Sequence, residues 1–100
     1  MAQSLKTPRE IRQEIAVRAK EHRLALNISQ KELAERSGVS LGSVKRFENS
    51  GLVSLASLLE IALVLDCLGD FDNVFAAKEQ PVSLFMPEPP KRKRSGRKSL

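Results

Sequence analysis

The chain has 100 residues, 41% hydrophobic and 29% charged; that is one domain's worth, and with no Trp or Tyr and only four Phe its core must be aliphatic. No apolar run approaches the roughly 20 residues of a membrane span, the opening MAQSLKTPRE has no apolar stretch of a secretory signal, and a lone cysteine and a lone histidine exclude an internal disulfide or a cysteine-rich zinc site. The net charge of +5 sits in the tail: residues 91–100 hold six of the 17 basic residues and no acidic one, which leaves 11 basic against 12 acidic before them, so any nucleic-acid role of the body must rest on where its charges lie.

The remaining pattern is all-α. Thr7-Pro8-Arg9-Glu10 opens a first helix, with Thr7 as cap, Pro8 at the first helical position and Glu10 completing a capping box. Ile11, Ile15, Ala19 and Leu26 follow at helical spacing with His22 on the same stripe, which predicts the buried face and makes His22 a semi-buried core residue rather than a ligand. A break is expected near Asn27, because Ser29-Gln30-Lys31-Glu32 is a second capping box, stapled by Ile28 and Leu33. That helix runs to Ser37 and stops at Gly38. Val39-Ser40 restarts the pattern, with Ser40 as cap and Val39 and Val44 as staple. Two short helices joined by a glycine-containing turn of about three residues have helix-turn-helix spacing.

The third helix is expected to end near Asn49-Ser50-Gly51. A fourth starts at Ser54, with Val53 and Leu58 as staple, and runs to Gly69; it is apolar almost all round, which predicts the buried centre of the bundle. Cys67 on it reads as a small buried hydrophobe. A short fifth helix from about Asp70 to Ala77 carries Phe71, Val74 and Phe75. After Gln80 the proline-rich PVSLFMPEPP and the basic run predict an extended or disordered tail. The expected organisation is therefore a five-helix domain over 1–80 and a tail over 81–100.

The segment ISQKELAERSGVSLGSVKRFENSG, Ile28 to Gly51, resembles the Xre/Cro-CI helix-turn-helix family, whose fold is a lambda-repressor-like bundle. The resemblance covers about residues 11–68 and is carried by Gln30, Glu32-Leu33-Ala34, Gly38, Val39-Ser40 and Phe47-Glu48-Asn49. Ala34 is small where two helices cross, and Gly38 permits the tight turn. Val44 and Phe47 lock the third helix onto the core. The short loop ENSGLVSLASLLEIAL, then LGDFDNVFA, the Pro-rich segment and the basic tail look most like HipB-type antitoxins, which pair with HipA-type kinases.

The family resemblance implies that the third helix lies in the major groove of double-stranded DNA. Val44 and Phe47 would then face inward, leaving Ser40, Leu41, Gly42, Ser43, Lys45 and Arg46 toward the bases. Arg46 is the best reader, since a guanidinium can bridge guanine O6 and N7. Lys45 could read a guanine or neutralise a phosphate, and Leu41 could touch a thymine methyl. Gln30 at the start of the second helix, and Asn49 and Ser50 after the third, are implied phosphate contacts. Arg23 and Glu48 match a family salt bridge between the first helix and the end of the third. Against these stand plainer readings: a solvated basic pair, an ordinary first-turn residue, ordinary C-cap residues and unrelated surface charges.

Glu60, Asp66, Asp70 and Asp72 lie in or after the fourth helix; they form either a solvated face or one turned from DNA toward a protein. The tail reads as a basic arm adding non-specific DNA affinity, as a run resembling a nuclear-localisation signal in PPKRKR, or as a passive terminus. The implied function is a sequence-specific repressor, a homodimer on a palindromic operator, and the antitoxin of a HipA-like kinase. A stand-alone or phage-type regulator would look the same to about residue 70. The expected setting is a bacterial cytoplasm, with no membrane association, no metal and no cofactor. An enzyme is not expected, because no constellation of catalytic groups exists.

Overall fold

Each helix begins where a hydroxyl can cap it. The computed structural model describes residues 5–77, and within them α1 (Pro8–Ala25), α2 (Gln30–Ser37), α3 (Leu41–Ser50) and α4 (Leu55–Val64) are followed by a 3₁₀ turn, Leu68–Phe71. Thr7, Ser29, Ser40 and Ser54 stand at the four N-caps, and each side chain accepts a hydrogen bond from the N–H three residues on. This satisfies a donor that the helix itself leaves open. At Thr7 the box is reciprocal, since Glu10 accepts from the Thr7 N–H at 2.9 Å. At Ser29 only half the box is present, and Glu32 pairs instead with Arg36 at 2.6 Å.

The opposite ends are set by left-handed residues. Gly38 and Gly51 cap α2 and α3 at φ of 76° and 78°, while Asn27 and Asp66 follow α1 and α4 at 62° and 63°. Asn and Asp adopt this conformation more readily than other side-chain-bearing residues. At α1 the turn is closed by Ile28 N–H to the Arg23 carbonyl and Asn27 N–H to the Leu24 carbonyl. At α4 the same pair of bonds runs from Cys67 to Ala62 and from Asp66 to Leu63.

That second turn corrects the expected fourth helix. It stops at Val64 rather than Gly69, because Asp66 supplies the left-handed residue before the glycine is reached. The fifth helix over 70–77 is not formed either. The chain makes the 3₁₀ turn Leu68–Phe71 and then further turns, with Phe75 at φ 64°. The described residues thus hold four α-helices, not five.

Leu33, Val44, Phe47 and Ile61 are the largest fully buried side chains, so α2, α3 and α4 all meet at one core, with Ala16 contributed by α1. The face that α1 buries is not the predicted stripe. Ile11, His22 and Leu26 are exposed and Ile15 and Ala19 are half-buried, while Ala16 and Arg23 are buried. The inward face lies one residue further round because α3 packs across α1 there. Nor is α4 the buried centre. It turns 94° from α3 and buries Ile61 and Ala62, leaving Leu55 and Leu63 65% and 58% exposed. No single helix among the described residues is long and apolar enough to cross a membrane. The proline-rich segment PVSLFMPEPP, the basic run and the domain boundary expected at residue 80 lie outside the described residues.

Candidate nucleic-acid interface

α2, the Gly38 turn and α3 form a helix-turn-helix unit, and α3 is held by both of its faces' chemistry. Val44 and Phe47 anchor its inner side in the core. Its last turn is clamped by two arginines three turns apart on α1. Arg12 Nε donates to the Ser50 carbonyl at 3.1 Å. Arg23 donates through Nε to Glu48 Oε2 at 2.7 Å and through Nη2 to Glu48 Oε1 at 3.0 Å. Its remaining Nη1 donates to the Ile28 carbonyl at 2.9 Å, which ties the loop between α1 and α2 into the same knot.

The two side chains of this pair are 8% and 4% exposed. A bidentate geometry suits a guanidinium and a carboxylate, and burial makes each partner depend on the other for its charge. Gln30, the first residue of α2, joins the cluster: its Nε2 donates to Glu48 Oε1 at 3.0 Å. One carboxylate therefore ties α1, α2 and the end of α3 together.

Gly51 makes the clamp possible. Its φ of 78° excludes most side chains, and a Cβ there would lie 2.5 Å from the Arg12 carbonyl oxygen. The sequence signalled only a helix stop at this position; the contact with α1 is visible only in the fold. The Arg12–Ser50 and Gln30–Glu48 bonds were likewise missed, and spacing gives no signal for them.

The outer side of α3 places the remaining residues unequally. Lys45 and Arg46 are exposed, and neither makes an ion pair within the described residues. Gly42 is exposed, and a Cβ there would meet nothing within 4 Å beyond its chain neighbours and its own helix backbone. Leu41 is half-buried and leans on the core. Ser40 serves as the cap: its Oγ accepts from the Ser43 N–H at 3.1 Å and donates to Ser43 Oγ at 2.9 Å. Beyond them Asn49 is exposed. The Ser50 hydroxyl donates to the Arg46 carbonyl at 2.7 Å and accepts from the Leu52 N–H at 3.3 Å, so it is engaged in its own helix end.

Charge is segregated along the fold. Every Lys and Arg of the described residues falls between Lys6 and Arg46, and residues 51–77 have none. Glu60, Asp66, Asp70 and Asp72 are all exposed in that second stretch. The balanced net charge of the body thus hides a basic part, which includes α3, and an acidic part, which includes α4 and the 3₁₀ turn. Cys67 is half-buried rather than buried; desolvation, then the neighbouring Asp70 and Asp66, push its thiol above its ordinary value. No group of three or more His, Cys, Asp or Glu that could hold a metal ion occurs among the described residues.

A capped helix, a tight left-handed turn and a second helix with an open basic face define a DNA-binding module of the helix-turn-helix class. Comparison with known families agrees: the helix-turn-helix family model matches residues 20–70, from the end of α1 into the 3₁₀ turn. The chain belongs to this Xre-like helix-turn-helix family of DNA-binding transcription regulators, which is not a catalytic family. No curated protein and no solved structure gives a significant match to the chain.

Proposed function

We propose that the protein is a sequence-specific repressor that binds a palindromic operator as a homodimer, with α3 in the major groove of each half-site. The observation that carries this reading is the split of α3. Val44 and Phe47 are buried and the helix end is locked by Arg23 and Glu48, while Lys45 and Arg46 stand exposed with no internal partner among the described residues. On this reading Arg46 reads a guanine and Lys45 reads a base or neutralises a phosphate. Gly42 lets the groove floor approach the helix, Leu41 offers its exposed edge to a thymine methyl, and Ser40 and Ser43 contribute their hydroxyls. Gln30 and Asn49 contact phosphates, and Ser50 does so through whatever its hydroxyl retains beyond its two internal bonds. A single recognition helix reads few base pairs, which is the reason for two copies.

The test is selection from a random duplex library, followed by footprinting. Two protected half-sites about 34–36 Å apart are expected. Arg46→Ala should cost about 1–3 kcal/mol on the selected operator and relax base choice at one position per half-site, whereas Gln30→Ala should weaken all sequences more evenly. Equal losses on selected and scrambled DNA for Arg46→Ala would reduce that residue to a phosphate contact.

The finer part of the proposal is that this repressor is the autoregulating antitoxin of a HipA-like kinase. Its support is the resemblance of the chain from Ile28 onward to HipB-type antitoxins, together with the acidic, base-free surface of residues 51–77, which suits a protein partner better than DNA. Co-expression with the product of the neighbouring gene tests it. A kinase that co-purifies and is inhibited supports the antitoxin; no such gene or no complex leaves a stand-alone regulator.

A further inference from the structure

We propose that the groove between α1 and α4 is the homodimer interface and that Phe75 of a second copy fills it. The inference rests on the homodimer reading above and names the contact that would build it. The groove is lined by Ile15 and Ala19 of α1, Leu58 and Ile61 of α4, and Leu65 and Phe71 beyond, and its volume is about 290 Å³. An apolar cavity of about 150 Å³ already accepts a benzene ring, so a phenyl side chain fits with room to spare.

The matching knob is on the same chain. Phe75 is 100% exposed, the most exposed of the large hydrophobic side chains in the described residues. It is also held at φ 64°, a backbone conformation unfavourable for a bulky side chain. The turn that presents it is fixed by Val74 N–H to the Phe71 carbonyl and by Ala76 N–H to the Asn73 carbonyl. Leu68 and Val74, in the same segment after α4, are also exposed apolar side chains. Phe75 lies outside its own groove, yet only four residues from Phe71, which lines that groove. Four residues of chain span at most about 14 Å, so knob and hole lie within the width of one interface. A two-fold axis between them carries each knob to the other copy's hole, as an isologous interface requires.

The charges at the groove agree with a second copy rather than an unrelated partner. Arg18 and His22 line it from α1, and Asp70 lines it from the 3₁₀ turn. Arg18 has only a long contact with Glu14, at 3.9 Å, and Asp70 makes no ion pair among the described residues. A rim with a base on one side and an acid on the other is complementary to itself under a two-fold: Arg18 of each copy meets Asp70 of its mate.

The experiment measures the self-association of the full chain by sedimentation velocity, with circular dichroism as a check of the fold. Phe75→Ser should leave the helical circular dichroism spectrum unchanged, since the side chain is exposed, and weaken dimerisation by about a thousand-fold, with the melting temperature losing its dependence on protein concentration. Each substitution removes two symmetric anchors, each worth roughly 30-fold as an interface hot spot. Arg18→Asp and Asp70→Arg should each weaken dimerisation alone. Mixed with each other they should form a heterodimer, because both cross-copy pairs are then restored. A pairing within one chain cannot produce that rescue. If the wild-type chain dimerises and none of these three variants does so more weakly, the contact lies elsewhere, the groove is left to a different protein, and this inference is overturned while the homodimer stands. If the wild-type chain is monomeric both free and on its operator, the homodimer reading itself fails. A folded Phe75→Ser chain that still binds a single half-site but no longer binds the palindrome cooperatively supports both.

Discussion

Replacing Glu48 by Ala tests the central joint of the fold. The change removes two of the three hydrogen bonds on the Arg23 guanidinium, at 2.7 and 3.0 Å, and the one that the Gln30 amide makes to the same carboxylate. Arg23 is then left 6% exposed with only the Ile28 carbonyl, an uncompensated charge whose cost is about 3–5 kcal/mol. A domain of this size has a total stability of about 4–10 kcal/mol, so the variant should lose a third or more of it and melt about 15–30 °C lower. Arg23→Ala should cost a similar amount by stranding the carboxylate. Replacing both together, Arg23→Met with Glu48→Leu, should cost far less than the sum, because an apolar pair of similar volume needs no charge compensation. Urea unfolding followed by circular dichroism gives the three differences at constant slope. Closed with the matching single changes Arg23→Met and Glu48→Leu, the cycle should show a coupling of at least about 3 kcal/mol. A value below about 0.5 kcal/mol, the scatter of independent sites, would refute the argument that the two charges stabilise each other. The double apolar variant separates stability from function. It should fold and still bind its operator more weakly, since the joint that sets the end of α3 and orients Gln30 is gone.

The remaining predictions concern glycines and the cysteine. Gly51→Ala meets both a left-handed φ and a contact at 2.5 Å, and should destabilise by about 2–5 kcal/mol in the same unfolding assay. Gly42→Ala meets nothing within 4 Å; it should raise stability by up to about 1 kcal/mol while lowering operator affinity in a gel-shift titration. Cys67 should react with iodoacetamide more slowly in the folded chain than in urea, because desolvation, Asp70 and Asp66 hold its thiol protonated, and Asp70→Asn should narrow the difference. Since its folded pKa is raised, its contribution to stability is complete below the ordinary thiol value of 9.0 and is lost as the pH climbs through the folded value. Comparing the alkaline unfolding of Cys67→Ser with that of the parent chain isolates this term.

The helix starts were legible because they are local. Thr7, Ser29, Ser40 and Ser54 cap through their own side chains, and the staples Ile28–Leu33 and Val39–Val44 lie within one turn of them. Helix ends were legible where a glycine marks them or where a new start signal follows at once, as at Asn27. Gly38 and Gly51 were read correctly, but Asp66 ends α4 through a conformation that its side chain tolerates without advertising it. The two errors at the C-terminal side have this one cause, since a helix extended to Gly69 forces the next element into register behind it. The buried face of α1 failed for a different reason. Hydrophobic periodicity marks Ile11, Ile15, His22 and Leu26, yet in the single chain the neighbouring face is the one covered, and part of the marked stripe lines the open groove. If a second copy covers that groove, the periodicity was reporting a contact outside the single chain.

At the interface, residue types were legible and their existing commitments were not. Gln30 shows the difference. Its amide carries two N–H protons, and one of them is already given to Glu48. A phosphate contact must use the other, or the backbone N–H groups in the first turn of α2, where the Ser29 hydroxyl takes only that of Glu32. The two uses are compatible, and together they are better than either alone. A glutamine held at one proton by a buried carboxylate has lost its freedom before DNA arrives, so less rotamer entropy remains to be lost on binding. The same carboxylate fixes the end of α3 through Arg23. On the proposed reading, the phosphate-facing end of α2 and the base-facing helix are therefore set relative to each other by one side chain that touches neither base nor phosphate. This explains why a buried ion pair, which adds little net stability over an apolar pair, is placed at the one point where α1, α2 and α3 converge.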